Sequence, residues 1–388
     1  MSSKKRSNIN LPLIITFTDE GVSFFRNHNR KLNKKRLSNN TLAYGMSLEE
    51  FSAASIQNMI IADYVSRIEL SRTAFTAKRS EIMDISKLIF YGILYRRFSK
   101  IITKRFTRSL FIESWNRSNP KNILDENSIL NNTAIRNFPS LKKEMIDQIK
   151  ENITNEAINV LPDIKELTIE EIKKSKNIGE KFLNNLNPFL WYILSASQES
   201  SDYKQLFKDT INLLKQYLEK SRIAEYLSLM IMEFAINAEI SQLKKLSTRL
   251  YKNKIDFGRI IHNTTIRNEL IKFLESKNEF LTLSWKIKGT ANSIGTDNKL
   301  QIIIYNKDTE YQKLRQNISN LKTVDTNKKS LIDFFQEESE DVFNSDMGMH
   351  YLSYMKEACR EQQIYFDSHV DQIADSDLNI ITLSLLFQ

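Results

Sequence analysis

The sequence predicts an α+β fold in which a mainly helical amino-terminal region is followed by a carboxy-terminal two-layer α/β sandwich. Three observations carry that expectation. Only 8 Gly and 5 Pro occur in 388 residues, a balance that favours long helices and few tight turns. Apolar residues recur at helical spacing through most of the chain up to residue 276. Beyond residue 280 the period changes to that of strands, first in L-T-L-S-W-K-I-K at 281–288 and again near the end.

Composition narrows the function classes. Hydrophobic residues make up 41% and aromatics 10%, enough for a sizeable buried core and for two or three domains. One cysteine, Cys359, excludes an internal disulfide framework and cysteine-rich zinc sites, which fits a reducing cytoplasm. Leu11–Phe17 is too short and interrupted for a signal segment or a membrane span. The runs at 88–95 and 189–196 fall well short of a span as well. The formal charge of +9 is unevenly placed: residues 1–110 hold 20 Lys and Arg against 8 Asp and Glu, and the remainder holds 36 against 39. That asymmetry points the first 110 residues at a polyanion, either nucleic acid or an anionic membrane surface, or at an acidic protein.

The organisation expected is a basic, mainly helical region at 1–116, a helical middle region at 117–220 and an α/β domain at 221–388. Leu11–Thr18 reads as a strand, and R-N-H-N-R-K-L-N-K-K-R-L-S-N-N at 26–40 as a basic connection. S-L-E-E from Ser47 has the form of a capping box and predicts a helix through Glu69. A basic amphipathic segment from Lys78 to Trp115 follows, with Arg96, Arg97, Lys100, Lys104, Arg105 and Arg108 flanking an apolar stripe. Helices are expected at 139–160, 167–186 and 202–221, with the aromatic run at 187–194 as a packing anchor.

The rest of the chain is organised around Y-L-S-L-M-I-M-E-F-A-I-N-A-E, Tyr226–Glu239. Glu233 and Asn237 stand one helical turn apart in this apolar helix, so a carboxylate and a carboxamide project side by side. After the helix come a helical insertion at 240–279, strands at 281–288 and 299–306, and a polar stretch at 307–346. A helix opened by Gly348 and strands at 364–370 and 379–387 close the chain.

This order of elements, with E-x-x-x-N on the first helix, resembles the ATP-binding domain of the GHKL superfamily, which includes the histidine kinases and anti-sigma-factor kinases. The resemblance covers residues 221–388. It implies that Asn237 ligates magnesium, that Glu233 polarises a water or hydroxyl nucleophile, and that 307–346 is an ATP lid. It further implies that Gly348, with His350 just beyond it, approaches the phosphates. Where the family carries D-x-G-x-G this chain reads N-K-D-T-E, so the adenine-reading acceptor is either Asn306 or Asp308. The second glycine box keeps Gly348 alone.

A conventional histidine autokinase is not expected, because His28 is the sole histidine ahead of Glu233 and lies in a basic loop. No P-loop or hydrolase elbow occurs. The expectation is a cytoplasmic signalling or regulatory protein with a protein partner and a divergent site for ATP and magnesium, as an ATPase, a kinase or a binder. Its alternatives are a scaffold with a degenerate nucleotide pocket and a nucleic-acid-binding protein acting through the basic amino-terminal region.

Overall fold

The computed structural model describes residues 8–36, 42–125, 128, 132–162, 164–165, 167–252, 254–288, 299–307, 347–373 and 378–387, with backbone alone at 36, 306, 307, 347–351 and 353. It is α+β, with a large antiparallel sheet. One compact unit is formed by the chain up to Ile93 together with the chain from Ile223 onward; Leu94–Arg222 forms the other.

The first unit opens with strand β1, Asn8–Phe17, whose alternate residues Ile9, Leu11, Leu13, Ile15 and Phe17 are buried. Thr18 then caps helix α1, Asp19–Asn27, by accepting the Gly21 N–H at 3.2 Å. Gly21 is needed there: a Cβ would lie 2.3 Å from the Tyr64 carbonyl oxygen. Strands β2 (Asn33–Arg36) and β3 (Leu42–Ser52), helix α2 (Ala53–Ile61) and strand β4 (Val65–Arg72) complete this stretch.

The helix expected from Ser47 to Glu69 is therefore replaced by strand, short helix and strand. The Ser47 capping pattern is overridden by sheet pairing, since Ser47 stands opposite Ile14 on β1. Ser52 caps the helix instead, accepting the Ser55 N–H at 3.2 Å. In β4 a register shift separates the pairs Thr16–Arg67 and Phe17–Val65, which spaces the buried Val65 and Ile68 three apart and imitates helical periodicity. Ser66 occupies the irregularity, its hydroxyl donating to the carbonyls of Thr16 and Phe17 at 3.1 and 3.2 Å.

Helix α3, Arg79–Thr107, leaves this unit at Ile93. The chain returns in α10, Ile223–Tyr251, followed by α11 (Phe257–His262), α12 (Thr264–Ser276), β5 (Leu281–Lys288) and β6 (Lys299–Lys307). Helix α13 (Met347–Glu361) and strands β7 (Ile364–Gln372) and β8 (Leu378–Phe387) follow. Eight strands make one sheet in the order β2-β3-β1-β4-β5-β6-β8-β7, every pair antiparallel. Pairing of β4 with β5, with Ile68 opposite Trp285, joins the amino-terminal strands to the carboxy-terminal ones. The region expected to be mainly helical thus supplies half of the strands of this sheet.

Leu283, Trp285, Ile302, Ile304, Leu383 and Leu385 bury one face of the sheet. Helix α10 packs over β5 and β6, and α13 packs on α10 and β7. From the first turns of α3, Phe90 meets Phe387 edge-on at 5.4 Å. On the other face of β8, Thr382 and Ser384 are buried too, flanked by Ile303 and Gln301 of β6 and by His369 and Asp367 of β7. Beyond the sheet, Leu243 and Leu246 of α10 form a separate apolar cluster with Ile260 and Ile261 of α11 and Leu270 and Leu274 of α12.

The second unit is helical: the remainder of α3, α4 (Leu110–Ser118), α5 (Thr133–Leu141), α6 (Lys143–Asn159), α7 (Ile169–Asn185), α8 (Pro188–Ala196) and α9 (Tyr203–Ser221). Its core includes Phe98, Phe106, Phe182 and Phe189, so the apolar stripe of the basic amphipathic segment faces protein rather than lipid. Helix α8 is the aromatic run; it starts at Pro188 and buries Phe189, Leu190, Trp191, Ile193 and Leu194. Among the described residues no helix is long and apolar enough to cross a membrane.

Candidate functional site

Helix α10 carries the candidate site, and its neighbours explain why it is apolar on nearly every side. The sheet lies beneath it, α13 lies alongside, and α3 runs antiparallel to it. Three contacts mark that antiparallel line. Lys87 meets Glu225 at 2.6 Å, Arg79 meets Glu233 at 3.1 Å, and the N–H groups of Phe75 and Thr76, just ahead of α3, meet Glu239 at 2.7 and 3.0 Å.

Glu233 is therefore engaged. Its Oε1 accepts from the Arg79 guanidinium, and burial raises its carboxyl above the usual carboxylate range while Arg79 draws it back. A carboxyl so raised moves toward the useful range for general-base work, but the arginine holds one of its oxygens. Asn237, one turn along, is half-buried and finds no hydrogen-bond partner among the described residues.

Of the other expected site residues, Asn306, Gly348 and His350 lie in elements of the same unit and Asp308 lies outside the described residues. Asn306, the next-to-last residue of β6, stands opposite Asn379 of β8, which is fully buried. Gly348 and His350 lie in the first turn of α13, the helix packed against α10. With Asp308, the expected lid at 307–346 lies outside the described residues, apart from the Lys307 backbone. The structure thus brings the helix bearing Glu233 and Asn237 together with the helix opened at Gly348 over one sheet, in the order α10, β5, β6, α13, β7, β8.

The polar centre of the helix is a residue that sequence reasoning passed over. Glu239 is 0% exposed, and its carboxylate accepts from the N–H groups of Phe75 and Thr76, the Thr76 hydroxyl at 3.0 Å and the Arg267 guanidinium of α12. A signal for it exists: Ser228, Met232, Ala235, Glu239, Gln242 and Leu246 follow a four-three spacing and are all buried. Glu233 and Asn237 stand off that line, on its half-buried flank.

A family of unknown function (DUF8084) matches residues 4–387. The chain belongs to the DUF8084 family. An uncharacterized protein of Treponema pallidum (strain Nichols) is 35% identical to this DUF8084 chain over 393 residues, covering 100% of both. No solved structure matches it.

Proposed function

We propose that this DUF8084 chain is a regulatory protein whose sheet and paired helices α10 and α13 form a divergent, GHKL-like site for ATP and magnesium. The observation that supports the reading is the packing of α10 against α13 on one antiparallel sheet, in the family's order of elements. The Asn237 carboxamide oxygen suits a hard cation, and its side chain has no partner among the described residues, so the donor fits the ion. Magnesium held there would offset phosphate charge when nucleotide binds.

The ion pair between Arg79 and Glu233 favours a site that binds without efficient turnover, because a carboxylate committed to a guanidinium is a poor water-orienting base. Regulation through nucleotide-dependent binding of a protein partner follows from that. Isothermal titration with a non-hydrolysable ATP analogue and magnesium tests the reading. Saturable heat that Asn237→Ala abolishes is the expected result. No heat from the full chain, under conditions where a control ATPase binds, would leave the scaffold reading in its place.

A further inference from the structure

We propose that the corner formed by α1, β2 and β3 binds single-stranded nucleic acid. No Asp or Glu occurs between Glu20 and Glu49, while the same stretch holds Arg26, Arg30, Lys31, Lys34, Lys35 and Arg36. The first five of these side chains are exposed. Lys35 meets Glu69 at 3.6 Å, yet it stays 61% exposed. The carboxylates nearest in sequence, Asp19 and Glu20, sit at the opposite end of α1 from Arg26.

Charge alone would fit any polyanion, and the aromatic residues narrow the choice. Arg26 lies over the Tyr44 ring at 4.4 Å, and Lys34, directly opposite Tyr44 in the β2–β3 register, shares its face. On the same helix Phe24 stacks on Tyr64 at 4.6 Å, and the His28 ring lies on Phe24 at 4.2 Å. Rings interleaved with exposed cations are the elements of a single-strand platform, on which bases stack while lysines and arginines follow the phosphates.

Two features argue against other occupants. Duplex recognition uses a helix or ribbon inserted in a groove, whereas α1 is turned onto the sheet through Phe25, whose ring stacks on Phe17 at 4.6 Å. A lipid surface would want a contiguous apolar wedge, and the exposed residues of α1 and β2 are chiefly polar and basic. β2 is also the end strand of the sheet, so among the described residues its outer backbone groups pair with no other strand. Lysines alone would serve to protect such an edge from aggregation, but protection gives no reason for the aromatic rings beside them.

The test uses the full chain and a fluorescein-labelled oligo(dT) of about 12 nucleotides, read by anisotropy. Affinity should fall at least about tenfold between about 50 and about 200 mM salt, and a blunt duplex of equal length should bind more weakly. The triple variant Arg30→Glu, Lys31→Glu, Lys34→Glu, all at exposed positions, should lose at least about tenfold in affinity with an unchanged unfolding midpoint. Arg117→Glu, in the helical unit, should bind as the parent does. Tyr44→Leu should weaken binding about fivefold or more without changing the salt slope, the signature of lost stacking. Unchanged affinity in the triple variant, or no oligo(dT) binding by the parent, would overturn the proposal. Sedimentation with phosphatidylserine vesicles without oligo(dT) binding would overturn it in favour of a lipid surface.

Discussion

Phe75 donates its backbone N–H to the Glu239 carboxylate at 2.7 Å across 164 positions of sequence. Thr76 adds a second N–H and its hydroxyl, and Arg267 supplies the compensating charge. One side chain thereby ties the segment after β4 and helix α12 to α10. Glu239→Ala leaves these donors facing an apolar hole, and it is expected to lower stability by about 3–5 kcal/mol. Glu239→Gln keeps an acceptor for the N–H groups while removing the charge opposite Arg267, so its cost should be smaller, about 2 kcal/mol. Urea unfolding of both variants checks the order; a Glu239→Ala cost below about 0.5 kcal/mol, as at an ordinary surface position, would show that the carboxylate is not needed.

The Arg79–Glu233 pair makes a pH-dependent expectation. Burial holds the folded carboxyl above its ordinary value of 4.5, and Arg79 only partly opposes this. The folded chain therefore binds more protons at Glu233 than the unfolded chain as pH rises from 4.5, and stability falls through that window. Glu233→Gln removes the titration. Its stability relative to the parent should rise with pH from 4.5 upward and level off once Glu233 is ionised in both states. Arg79→Ala should steepen the parent's decline, because it removes the opposing charge. Thermal midpoints measured across this range in the three chains decide the matter, and a flat Glu233→Gln difference would remove the burial argument.

The sequence disclosed the later half of the first unit better than the earlier half, for a local reason. In β5 and β8 apolar residues alternate without interruption, and each strand pairs in continuous register with its neighbours. In β3 and β4 the pairing partners are brought together by β1, whose register shifts against both strands. Those shifts break the period of two, so Val65 and Ile68 read as one turn of helix. At the site, the spacing of Glu233 and Asn237 was plain because four residues make a turn. The four-three spacing places Glu239 on the buried line of its helix, but its partners Phe75, Thr76 and Arg267 lie in other elements, so the spacing does not show what holds it. Nor does the sequence show that Arg79 occupies Glu233, because only the antiparallel course of α3 beside α10 brings that pair together.

Ser284 faces the side of the sheet away from Trp285, opposite Glu69 of β4 and Ile303 of β6, and it is fully buried. Its hydroxyl finds no hydrogen-bond partner among the described residues. Backbone pairing of β5 with β4 and β6 does not depend on the side chain, so Ser284→Ala removes an unsatisfied polar atom and leaves the ladder intact. Desolvating an unpaired hydroxyl costs about 1–3 kcal/mol, and the small volume change offsets part of the gain. Ser284→Ala should therefore raise stability by about 1 kcal/mol, whereas Ser284→Val, which inserts two methyl groups between Glu69 and Ile303, should lower it by about 1–3 kcal/mol. Denaturant midpoints of the two variants check both signs, and a loss of stability in Ser284→Ala would mean that the hydroxyl is hydrogen-bonded in solution.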